Sequence, residues 1–109
     1  MANAPAQAFL KMETPIGARF GTTVVLIVRI GFNGCRLEHS SPLRVYDESD
    51  LRFVFQDAQV ALRTLVTKSR MECLAGGVPL YSTDLQFSRL SRPDWKIVGA
   101  IIDSLSAEL

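Results

Sequence analysis

The chain is poor in the side chains that most enzymes use. It has one histidine, His39, and two cysteines, Cys35 and Cys73, in 109 residues. There is no C-x-x-C pair and no Cys/His cluster, so no metal site is expected. Two cysteines are too few for a disulfide-stapled scaffold, and both are expected to be small buried thiols in a cytoplasmic protein. An excess of charge of one sign is also missing. Lys and Arg number 12, Asp and Glu 11, and the net charge is +1, which argues against a domain held on DNA by phosphate electrostatics. The most apolar run, Val24-Val25-Leu26-Ile27-Val28, falls far short of the ~20 residues that a membrane-spanning helix needs. The opening Met-Ala-Asn-Ala-Pro-Ala-Gln-Ala has neither the basic start nor the apolar core of a signal peptide. A cytoplasmic protein without membrane insertion is expected, with residues 1–8 as a loose tail.

Catalytic constellations are equally scarce. His39 is followed by Ser40 and Ser41, but neighbours on a strand point to opposite faces, so His39 is expected at a surface or strand edge and not beside a nucleophile. Asp47-Glu48-Ser49-Asp50 lacks the spacing and central glycine of a calcium loop and fits a solvated turn. Neither G-x-x-x-x-G-K-[ST] nor G-x-G-x-x-G occurs. No catalytic residue and no cofactor is expected, and the chain is not expected to be an enzyme.

What is present is a core-forming pattern. Apolar residues make up 48% and charged residues 21%, which suits one folded domain over residues 1–109. Residues 20–30 are rich in Val, Ile and Thr and apolar on both faces, as in a central strand covered on both sides. Gly31-Phe32-Asn33-Gly34 breaks the run, with Gly and Asn supplying the positive φ of a tight turn. Cys35-Arg36-Leu37-Glu38-His39 alternates, then Ser40-Ser41-Pro42 ends the strand. Leu51, Phe53 and Phe55 recur with period two, and Val60, Leu62 and Val66 follow a turn at Gln56–Gln59, which predicts a hairpin. Gly76-Gly77-Val78-Pro79 marks another turn before a last strand bearing Leu85 and Phe87. Trp95, Val98, Ile101, Ile102, Leu105 and Leu109 then step by three and four, the stripe of an amphipathic helix capped at Ser91-Arg92-Pro93-Asp94. The stripe is expected to pack on the chain's own barrel; a homodimer through the helix is the alternative use.

Five or six strands followed by one helix predict a mainly β fold, a small antiparallel barrel or sandwich plugged by the helix. The helix comes too late for an OB-fold and at the wrong end for an Sm-like fold. Nucleic acid is a further alternative: Arg36, Arg44, Arg52, Arg63, Lys68 and Arg70 lie on or near strands, and Phe32, Phe53 and Phe55 are candidate stacking groups. The period of Phe53 and Phe55 places both on the core face, so nucleic acid is not favoured.

The stretch Ile27-Val28-Arg29-Ile30-Gly31-Phe32-Asn33-Gly34-Cys35-Arg36-Leu37-Glu38 resembles the signature turn of PilZ domains, bacterial receptors for cyclic di-GMP. Pro42 to Phe55, Val60 to Arg70, Tyr81 to Phe87 and the helix from Pro93 are similar to the family's later elements, so the resemblance covers roughly residues 19–105. It implies a six-stranded split barrel with a terminal helix and a non-enzymatic regulatory role. Nucleotide binding in the family rests on R-x-x-x-R and [DN]-x-S-x-x-G, where arginines pair with phosphates and stack on guanines. This chain departs at nearly all of those positions. With the last glycine on Gly34, Gly31 stands at the serine and Arg29 at the acid or amide, and no R-x-x-x-R precedes them. A degenerate member is expected, one that does not bind cyclic di-GMP and acts through a protein partner in pilus assembly, motility or second-messenger signalling. The alternative is a cyclic di-GMP receptor with an atypical site around Arg19, Arg29, Gly31 and Gly34.

Overall fold

A computed structural model describes residues 9–106. Six strands precede one helix: β1 (Leu10–Phe20), β2 (Thr23–Ile30), β3 (Gly34–His39), β4 (Glu48–Phe55), β5 (Ala58–Ala75), β6 (Val78–Phe87) and α1 (Arg92–Ser106). All strand pairings are antiparallel, and the order β1-β2-β3-β6-β5-β4 closes a barrel. This is the fold that the PilZ resemblance implies. The notional tail, residues 1–8, and Leu109 lie outside the described residues.

Alternation builds the barrel. Val25 and Ile27 on β2, Cys35 and Leu37 on β3, Leu51 and Phe53 on β4, Val60 and Leu62 on β5 and Leu85 and Phe87 on β6 all point inward and are buried. Burial of each large side chain contributes on the order of 1.5–3 kcal/mol. Two-residue turns set the register. Gln56 and Asp57 both have positive φ and close Phe55 onto Ala58, and Gly76 and Gly77 close Ala75 onto Val78 in the same way. Such turns match the right-handed twist of the strands they join.

Residues 20–30 are not one doubly covered strand. Gly21, at φ 60, turns the chain between β1 and β2, and Val24 and Leu26 face outward, 66% and 45% exposed. An apolar run on both faces hid a hairpin whose outer face is left uncovered. The strand before it, β1, carries Pro15 inside an irregularity: residues 12–15 stand opposite Val28 alone, since Lys11 pairs with Arg29 and Ile16 with Ile27. A proline removes one ladder donor, which a bulge tolerates.

Helix α1 begins where the sequence places it. The Ser91 hydroxyl accepts the Asp94 N–H at 3.2 Å, and Asp94 puts an acid in the first turn. Val98 and Ile101 are fully buried, and Ile97, Ile102 and Leu105 pack against the same core, so the stripe covers the barrel itself. Trp95 departs from the expected stripe: it is 48% exposed and stacks on Phe32 with ring centroids 4.9 Å apart.

Candidate functional site

Gly31 and Gly34 bound the β2–β3 turn, which is where the family resemblance locates a ligand. The turn is held shut from three sides. The Gly31 N–H donates to the Gly34 carbonyl at 2.8 Å, and the Phe87 N–H donates to the Asn33 carbonyl at 2.7 Å. Phe32 leaves the turn to lie on Trp95 of α1. Neither glycine has a positive φ, contrary to expectation; the left-handed glycines are Gly21, Gly76 and Gly77. Gly34 is required for a different reason. A Cβ there would lie 1.9 Å from the Leu85 carbonyl oxygen of the neighbouring strand, inside any contact distance. Close backbone approach, and not a positive φ, requires a glycine here.

The arginines of the expected atypical site do not meet. Arg19 pairs across β1–β2 with Val24, five residues before Arg29 on β2, which separates the two backbones by roughly 17 Å at ~3.3 Å per residue. Arg29 sits instead in a row that crosses the outside of the barrel. Lys11, Arg29, Arg36, Asp84 and Lys68 are successive cross-strand partners on β1, β2, β3, β6 and β5. Arg36 grips Asp84 with two bonds, Nε to Oδ1 at 2.7 Å and Nη2 to Oδ2 at 3.3 Å, and this charge-assisted bond keeps the guanidinium charged. The row holds four cations and one carboxylate.

Arg19 belongs to a second feature. It faces Arg52 of β4, and β1 and β4 pair only there and at Phe20–Leu51. Beyond that point the strands diverge and leave a cavity of about 730 Å³, lined by Ile16, Gly17, Val24, Phe53, Val54 and Val60 among others. Arg19 and Arg52 are the charged side chains of its lining.

His39, expected at a surface or strand edge, is the last residue of β3 and is buried. Its Nδ1 bonds the Ser41 carbonyl, which only accepts, so Nδ1 carries the proton. The neutral Nε2 then accepts from the Thr83 hydroxyl at 2.6 Å, and Thr83 accepts from Ser69 at 2.8 Å. Tyr81 stacks on the ring. Burial pushes the His39 pKa below its ordinary value, and the Ser41 bond opposes the shift. Ser40 and Ser41 make no nucleophile–base pair with it: Ser41 engages the ring through its main chain.

Cys35 is buried as expected, and desolvation, reinforced by Asp84, pushes its thiol well above the usual range. Cys73 is exposed, against expectation, because β5 there runs past the last β4 partner, Leu65. Cys35 pairs with Leu85 and Cys73 with Leu80, roughly 17 Å apart along β6, so the two cannot be bridged. Of the three aromatic candidates for base stacking, Phe53 is buried, Phe55 packs on the core and Phe32 is 43% exposed, and Arg52, Arg63 and Arg70 each contact an acid. Among the described residues, no group of three or more His, Cys, Asp or Glu side chains could hold a metal ion, and no helix is long and apolar enough to cross a membrane.

No family model matches the sequence, and no curated protein matches it. The chain is similar to a solved structure of K. pneumonia MrkH in its apo state, with a TM-score of 0.80 and 17% sequence identity. The match covers 99% of this chain and 53% of that one, so the chain spans about half the length of MrkH. At that identity the likeness is one of fold.

Proposed function

We propose that this domain is a non-catalytic regulatory module that acts through a protein partner and does not take cyclic di-GMP at its β2–β3 turn. The observation that carries the proposal is the closure of that turn. A dinucleotide needs close backbone approach and paired guanidinium groups. Here the backbone is already occupied by its own hydrogen bonds, Phe32 is packed on Trp95, and Gly34 lies against the Leu85 carbonyl. The one hydroxyl that bonds the His39 ring through a side chain, Thr83, is fully buried and His39 is buried with it, so the pair is closed to a substrate, which supports a non-catalytic role. Pilus assembly, motility or second-messenger signalling is the setting that the PilZ resemblance suggests, with the protein in the cytoplasm.

A second reading has its own observation. The row Lys11–Arg29–Arg36 places three cations side by side, and Asp84 engages Arg36 among them. That row suits a phosphate-bearing ligand and would make the protein an atypical cyclic di-GMP receptor centred on Arg29. Isothermal titration with cyclic di-GMP separates the two. The first reading expects no heat above dilution; saturable binding in the low micromolar range that disappears in Arg29→Ala establishes the second.

A further inference from the structure

We propose that the slit between β1 and β4 binds an extended peptide bearing a carboxylate, taken up as an added strand with its acid at Arg19 and Arg52. The proposal rests on the protein-binding role above and names the chemistry of the partner.

The walls of the slit are strand edges. After Arg19–Arg52, continued pairing would join Ala18 to Phe53, Gly17 to Val54 and Ile16 to Phe55, and none of these rungs forms among the described residues. On their far sides β1 still pairs with β2 and β4 with β5. Both walls therefore offer main-chain donors and acceptors in strand geometry, and strand addition satisfies such groups. Residues 16–19 span roughly 13 Å at ~3.3 Å per residue, the length of a four-residue strand.

The lining fits the same occupant. Val24 and Val54 rise on either side, 66% and 59% exposed, and the buried Phe53 and Val60 form the floor. Gly17 adds no side chain, and a Cβ there would meet nothing within 4 Å. At the closed end, two like charges stand directly opposite each other, an arrangement that is unfavourable unless an anion lies between them. Arg52 has one bond to Asp50 at 3.3 Å, and Asp50 also contacts Arg63 at 3.6 Å; Arg19 has no acidic partner among the described residues. The slit is thus mainly apolar along its length, with Gln59 of β5 the one uncharged polar side chain of its lining, and cationic at one end. An extended peptide ending in a carboxylate complements all three properties, whereas a nucleotide or a lipid headgroup leaves the strand edges unmatched.

The test uses the full chain, labelled with nitrogen-15, and the hexapeptide Thr-Val-Thr-Val-Thr-Val with a free C-terminal carboxylate or as its carboxamide. The carboxylate form is expected to shift amides at residues 16–19 and 52–54, and the carboxamide to bind at least about tenfold more weakly, the loss of a charge-assisted contact. In Arg19→Gln/Arg52→Gln the two peptides are expected to bind alike. Gly17→Leu fills the slit and is expected to abolish binding of both while the melting temperature holds. No binding of either peptide, equal binding of the two by the native chain, or shifts confined to other strands would overturn the proposal. Cyclic di-GMP is titrated in parallel. Its shifts at the slit would overturn this proposal and the protein-binding role together. Its shifts around Arg29 would overturn that role alone, and the peptide result would still decide the slit.

Discussion

The β2–β3 turn and the β1–β4 slit are both places where the ladder of the barrel stops, and they stop in opposite ways. At the turn every neighbour closes in: Asn33 receives the Phe87 N–H, Gly34 admits the Leu85 carbonyl and Phe32 meets Trp95. At the slit the neighbours draw apart, glycine leaves open space, and two arginines face each other. The glycine-bounded turn is the more conspicuous feature of the sequence, yet its backbone is engaged in its own hydrogen bonds. The inconspicuous β1, with Gly17 and Arg19, borders the accessible cavity.

The largest expected effect contrasts the two glycines. Gly34→Ala forces a Cβ to 1.9 Å from a carbonyl oxygen, and we expect a loss on the order of 3–5 kcal/mol or failure to fold. Gly17→Ala adds the same methyl group in open space and is expected to change stability by no more than about 0.5 kcal/mol. Urea denaturation of both variants measures the difference, and equal losses would break the comparison.

Next comes the helix that seals the turn. Ile101→Ala removes a fully buried side chain and is expected to cost about 2–5 kcal/mol. Trp95→Ala removes a half-exposed stack on Phe32 and is expected to cost only about 1 kcal/mol. A loss at Trp95 as large as that at Ile101 would mean that the stack, and not the buried stripe, holds α1 down.

The pH dependence centres on His39, away from both features. Burial lowers its folded pKa below 6.5, so the folded state binds the proton more weakly than the unfolded chain. Stability from the neutral ring is present above about pH 6.5 and is lost as pH falls toward the lowered folded value. Thermal melts between pH 7.5 and 5 are expected to show this fall, and His39→Gln is expected to flatten it. An unchanged slope in the variant would assign the dependence to other groups.

The smallest effect sharpens the slit. Arg19→Ser relieves a like-charge pair and is expected to raise stability by about 0.2–1 kcal/mol at low salt, with the gain fading as salt is added. A loss instead would show that Arg19 already has a partner.

Much of the architecture was legible because burial and period agree. Leu51 and Phe53, Val60 and Leu62, and Val98 and Ile101 are core residues that alternation or helical spacing alone identifies. The outer face of β2 was not, because Val24 and Leu26 look like core residues and only the position of the barrel wall exposes them. His39 was misplaced for a related reason: its partners Thr83 and Ser69 come from strands far away in sequence, and a polar side chain can be buried once such partners satisfy it. The slit was invisible for the same cause. It is made by rungs that fail to form between residues some 35 positions apart, and no local pattern records a missing rung.

Trp95 is the chain's one tryptophan and lies on Phe32, so its fluorescence reports directly on the turn. Titrating the protein with cyclic di-GMP while following that emission tests whether the turn is closed. A closed turn predicts a flat emission profile at all concentrations; a saturable change in intensity or wavelength, lost in Arg29→Ala, would contradict it.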